Sequence, residues 1–104
     1  MKKTTRQNTS KSRTKYEIVL DSSRIKKNWD ALCQAFPDRM KECKNFLRNN
    51  PEDRTKAIGK LKKLKGSRKG QLQYDVTKDE YRVWYKVKKE NSTVVIKYAG
   101  AHPD

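Results

Sequence analysis

The spacing of apolar positions changes along this chain, and each change predicts an element. Residues 16–20, YEIVL, form a short run of β-branched and aromatic residues ended by Asp21, Ser22 and Ser23, which predicts a first strand. Ile25, Trp29, Leu32 and Phe36 then recur at intervals of four, three and four. That is one face of an amphipathic helix, with Ser22 or Ser23 placed to cap it. Pro37 lacks a backbone donor and restricts the residue before it, so it separates this helix from a second one that Asp38 is placed to cap. Met40, Cys43, Phe46 and Leu47 supply the apolar stripe of the second helix, and Asn49, Asn50 and Pro51 stop it.

Beyond residue 70 the period shortens to two. Leu72, Tyr74 and Val76 alternate with polar residues, as do Val83, Tyr85 and Val87, and Thr93 to Tyr98 form a last β-prone run. Polar turns at 77–80 and 89–92 join these strands into an antiparallel meander. Residues 52–70 carry a mixed signal. Ala57, Ile58, Leu61 and Leu64 fit one helical face, but Gly59 opposes a helix by about 1 kcal/mol relative to alanine. This segment is expected to be a partly ordered basic connector, with a short helix as the alternative. The order strand, helix, helix, strand, strand, strand predicts an α+β fold, β-α-α-β-β-β, with two helices on one face of a small, antiparallel-rich sheet.

Charge divides the chain further. The 104 residues include 27 Lys plus Arg against 12 Asp plus Glu, a formal net charge of +15. Residues 1–15 hold six basic and no acidic residues, and residues 54–69 hold eight and none, so nearly all the excess lies in two blocks. The first block is polar and has almost no apolar residue to bury, which predicts a disordered arm (1–15) before a single domain (16–104). Blocks of one sign are interaction surfaces for a polyanion, here nucleic acid. No uninterrupted apolar run exceeds three residues, as at Val94–Ile96, which excludes a spanning helix; no secretory core follows the basic start. The compartment expected is therefore the cytoplasm. Cys33 and Cys43 lack the spacing of a metal-ligand pair and are expected to be small core residues, with no metal and no small-molecule cofactor.

Four features occur in a set order: the helix bearing Trp29, KLKKLKG at 60–66, YRVWYKV at 81–87 and VVIKYAGAH at 94–102. Together they resemble the RelE/ParE superfamily of bacterial type II toxin-antitoxin toxins, over residues 16–102. The resemblance implies a small toxin held by a cognate antitoxin. In the RelE-, YoeB- and HigB-like branches such toxins are ribosome-dependent mRNA endonucleases, with the ribosome and mRNA as partners. A ParE-like branch inhibits DNA gyrase instead, and a catalytically weak member would only bind nucleic acid or its antitoxin.

Metal-free RNA cleavage needs a base for the 2′-OH, a cation over the crowded phosphate and an acid for the leaving 5′-oxygen. Arg82 follows an aromatic residue on the penultimate strand, resembles the phosphate-binding arginine of active RelE-like toxins, and alternates away from the core. His102, the single histidine, resembles the C-terminal histidine of YoeB-like toxins and has an intrinsic pKa suited to a proton donor. Lys62 falls where the YoeB-like pattern has a glutamate base. Lys60, Lys63 and Lys65 of the same segment, with Arg68 and Lys69, are expected to hold the RNA backbone. Trp84 alternates outward beside Arg82 and is expected to stack a base. Gln73 and Asp75 stand where RelE-like enzymes carry paired lysines, and an aspartate there would repel a phosphate.

Overall fold

The computed structural model describes residues 15–78 and 80–101. The chain runs β1 (Glu17–Leu20), α1 (Ser23–Ala35), α2 (Pro37–Asn49), β2 (Leu61–Lys63), β3 (Leu72–Asp75), β4 (Tyr81–Lys88) and β5 (Thr93–Ala101). The arm at 1–14 and His102 lie outside the described residues.

Ser22 caps α1: its hydroxyl accepts a hydrogen bond from the Ile25 N–H at 3.2 Å, satisfying one of the donors that a helix start leaves unpaired. Pro37 is the first residue of α2, where its missing N–H costs nothing. Phe36 therefore occupies the cap position, without a side-chain cap. Asp38, expected to be the cap, lies inside the first turn and acts there only through the helix dipole.

The strands form one mixed sheet in the order β1-β5-β4-β3-β2. β1 lies parallel to β5, and every other pairing is antiparallel. Both helices pack on one face, as expected for the α+β class. Trp29 and Leu32 of α1 and Met40, Cys43, Phe46 and Leu47 of α2 are buried against Tyr74, Val83, Tyr85, Val94, Ile96 and Ala99 of the sheet. Each such side chain taken fully out of water contributes about 1.5–3 kcal/mol. Among the described residues no helix is long and apolar enough to cross a membrane.

The basic connector differs from both expectations for it. A 3₁₀ turn at Arg54–Lys56 leads into a tight turn at Gly59, whose φ of +77° favours glycine, and then into β2. Leu61 is buried and pairs with Tyr74, whereas Ile58 is 82% exposed. Ala57, Ile58, Leu61 and Leu64 therefore do not share a helical face. Three strand residues are too few to show a period of two, and their hydrogen-bond partners lie ten or so positions ahead on β3. The entry to this connector is tied to the core: the Tyr85 hydroxyl, fully buried, donates to the Pro51 carbonyl at 2.5 Å.

Candidate nucleic-acid interface

Among the described residues no helix covers the second face of the sheet, and strand alternation decides what lies on it. Cross-strand register sets Lys62, Gln73, Trp84 and Tyr98 in one row from β2 to β5. The next row holds Asp75, Arg82 and Gly100. Tyr98 reaches this face through a bulge. β4 and β5 change register between Trp84 and Tyr85, so that Tyr85 faces Ile96 while Trp84 faces Tyr98, and Lys97 is the extra residue. Ile96 and Ala99 remain buried in the core on either side of it. A bulge of this kind re-aims a side chain by inserting one unpaired position.

Trp84 is the centre of the face. It alternates outward, as the sequence predicts, yet it is only 8% exposed. The Arg68 guanidinium lies 4.1 Å from its ring centroid, and the Tyr98 ring packs beside it at 4.9 Å and a tilt of 40°. Its indole N–H donates to Gln73 Oε1 at 2.9 Å, and the Gln73 amide donates in turn to Asp75 Oδ1 at 2.8 Å. These contacts leave little of the Trp84 ring exposed where a base was expected to stack. The place over the ring is taken by a cation, an attraction worth about 0.5–2 kcal/mol depending on its exposure to water.

Gln73 and Asp75 have a physical account in the same chain of bonds. Both are buried, at 5% and 9% exposure, and buried polar groups are stable only when hydrogen-bonded. A lysine at position 73 would offer the indole N–H no acceptor, and lysines at 73 and 75 would crowd Arg68 and Arg82. Asp75 stands directly across from Arg82 in the register, but the two are not among the ion pairs of the described residues. Arg82 is half-buried, and its Nε is a buried donor with no hydrogen-bond partner among the described residues. Opposite it, Gly100 has a φ of +144°, a backbone that side chains rarely adopt; a Cβ there would lie 3.5 Å from the Tyr98 hydroxyl.

The structure divides the basic residues expected to act together. Lys62 and Arg68 join Arg82 and Trp84 on the open face. Lys63, Lys65 and Lys69 instead rim a cleft of about 560 Å³ whose floor includes Leu64, Leu72 and Val87. Lys60 turns toward the helices, where it pairs with Glu42 at 2.5 Å and holds that carboxyl below its ordinary value. The structure therefore does not bring these four lysines together with Arg82: Lys63 alternates to the face opposite Lys62, Lys60 is held by Glu42, and Lys65 and Lys69 flank the 3₁₀ turn before β3. β5 carries the chain to Ala101, across from Tyr81, and His102 lies outside the described residues. Tyr98 is the member of the face that sequence reading missed. Its regular alternation would have put it inward, and Gly100 in the strand is the one local sign of irregularity. Among the described residues no three His, Cys, Asp or Glu side chains are grouped to hold a metal ion.

No family model matches the sequence, and no curated protein is similar to it. Solved structures are similar in fold. A YoeB/ParE toxin from Agrobacterium tumefaciens superposes with a TM-score of 0.65 at 18% identity, covering 84% of this chain and 99% of that one. The archaeal RelE–RelB complex from Pyrococcus horikoshii gives 0.62 at 22% identity, over 84% and 94%. The YoeB dimer from Staphylococcus aureus gives 0.62 at 23%, over 86% and 99%. The chain therefore has the RelE/ParE-type toxin fold, the α+β arrangement that its ordered motifs resemble.

Proposed function

We propose that this chain is the toxin of a type II toxin-antitoxin system and acts as a ribosome-dependent mRNA endonuclease. The observation that carries the reading is the second sheet face, where Arg82 and Lys62 share a side with Trp84 and Arg68 lies over its ring, with no helix above them among the described residues. An RNA phosphate laid on this face meets exposed Lys62 and Arg68 beside half-buried Arg82. The planar fork of Arg82 suits the two non-bridging oxygens of a phosphorane.

In the reaction the 2′-oxygen attacks the adjacent phosphorus and the bond to the 5′-oxygen breaks, leaving a 2′,3′-cyclic phosphate and a 5′-hydroxyl. Lys62, across the row from Gln73, is the candidate to take the 2′ proton when present as its neutral amine, and His102 the candidate to return one to the 5′-oxygen. Arg82 stabilises the charge that accumulates between these events. A cognate antitoxin with an acidic segment would neutralise the toxin by covering the same cations; solved relatives in fold include RelE–RelB, YoeB–YefM and DinJ–YafQ complexes.

A second reading, a member that binds RNA without cutting it, draws on Asp75, a carboxylate beside Arg82. One expression experiment separates the readings. Induction in bacteria is expected to arrest growth with cuts in translated mRNA, and the Arg82→Ala, His102→Ala double variant to abolish both. Full toxicity in that variant would overturn the nuclease mechanism, altered DNA supercoiling with intact mRNA would select gyrase inhibition, and neither effect would select the binder.

A further inference from the structure

Arg68 ends a short 3₁₀ turn, Gly66–Arg68, as an exposed residue, and it is in none of the ion pairs of the described residues. What fixes it is the ring beneath. An indole ring on a strand can tilt about its side-chain torsions, and here two restraints stop it: Tyr98 packs beside it, and Gln73 accepts its N–H. Gln73 can accept only if its amide is turned with the oxygen toward Trp84, and the donation of its NH₂ to Asp75 sets that orientation. Orientation thus passes from Asp75 through Gln73 to Trp84 and on to Arg68. Buried networks in which every member is satisfied are rigid.

We propose that Gln73 and Asp75 are positioning residues, which lock the Trp84 ring as a seat that presents the Arg68 guanidinium to an RNA phosphate. This rests on the reading that the open face takes RNA. It assigns to the two residues that replace the expected lysines a part in holding a cation rather than repelling the substrate. For the lysines missing from β3, the neighbouring turn supplies one cation.

The test is binding of a fluorescent single-stranded RNA oligonucleotide to the purified protein, measured across a series of salt concentrations. For single strands each phosphate neutralised contributes about 0.7 to the slope of log affinity against log salt. Arg68→Ala should lose about 0.7 in slope and about tenfold in affinity, the effect of one charge-assisted hydrogen bond. Gln73→Met keeps the side-chain length and removes both hydrogen bonds; it should reproduce that loss, and the Gln73→Met, Arg68→Ala double variant should lose no more than either single one. Asp75→Asn keeps an oxygen for the Gln73 amide and should bind as well as the parent or more tightly, at the parent slope.

A purely structural role for Gln73 predicts a lower melting temperature with the slope unchanged, or additive losses in the double variant, and either result overturns the proposal. So does an Asp75→Asn variant that binds like Gln73→Met. Arg82→Ala and Lys62→Ala separate this failure from failure of the functional reading. If they weaken binding while Arg68→Ala and Gln73→Met do not, the seat is wrong and the RNA face stands; if none of the four matters, the RNA face is wrong and the seat falls with it.

Discussion

Replacing Tyr85 by phenylalanine removes one oxygen atom and isolates the bond that ties the basic connector to the core. The ring is fully buried, and its hydroxyl donates to the Pro51 carbonyl at 2.5 Å, between the end of α2 and the turns that lead to Lys62. Burial pushes the phenol well above its ordinary pKa, so the hydroxyl is a donor at neutral pH. Phenylalanine fills nearly the same space, so the cavity contribution is small and the cost is that of a buried carbonyl, Pro51 itself being buried, left without a partner. Such a group costs about 1–3 kcal/mol. At about 4–8 °C per kcal/mol for a domain of this size, a loss of about 1.5 kcal/mol lowers the melting temperature by about 6–12 °C. Urea unfolding followed by circular dichroism should show a lower midpoint with an unchanged m-value, since the surface exposed on unfolding is the same. RNA affinity at low temperature, where the variant is folded, should fall less than in Lys62→Ala. A destabilisation below about 0.5 kcal/mol would refute the reasoning, because it would mean that water satisfies the Pro51 carbonyl and the bond anchors nothing.

Other expectations follow from single contacts. Lys60→Ala should weaken RNA binding less than Lys62→Ala in the same oligonucleotide assay, since Lys60 is engaged by Glu42 on the helical side. The Lys60–Glu42 pair is exposed and worth at most about 1 kcal/mol. Because Glu42 is held below its ordinary pKa, that contribution is full above the ordinary carboxylate range and is lost on acidification through the folded-state value, so Lys60→Ala should flatten the acid side of a stability–pH profile. Gly100→Ala meets only ordinary contact at 3.5 Å, so its cost is the positive φ, about 1–3 kcal/mol by thermal melting; an unchanged melting temperature would show that the strand adopts another φ at no cost. Cys43 is fully buried and burial pushes its thiol up, so a Cys33→Ser protein should show no thiol reactive toward a disulfide reagent until denaturant is added; rapid native reaction would contradict that burial.

The helices and the three C-terminal strands were legible in the sequence because their information is local. A period near 3.6 around Trp29 and Met40, a period of two around Val83 and a proline at position 37 each act within a few residues. The core face of the meander followed from the same alternation, and Tyr85 and Trp29 were placed inward correctly. β2 was not legible, since three residues of strand are defined by pairing with β3 rather than by their own pattern. The resemblance to RelE/ParE toxins marked Arg82 and the KLKKLKG segment, but it treated the lysines of that segment as one cluster. Pairing with β3 told Lys62 apart from Lys63, and the contact with Glu42 set Lys60 apart.

The amino-acid sequence by itself determined the class of fold, the buried face of each long element and a strongly cationic surface, since these depend on composition and on the period of side chains along one chain. Only the tertiary structure decided which cations share a face. The bulge opposite Trp84 and Tyr85 turns Tyr98 outward, Gln73 and Asp75 close a chain of hydrogen bonds onto the indole, and Arg68 settles over it. Each of those events joins residues from different strands or turns, and their geometry is set by cross-strand register, a quantity that no single stretch of sequence contains.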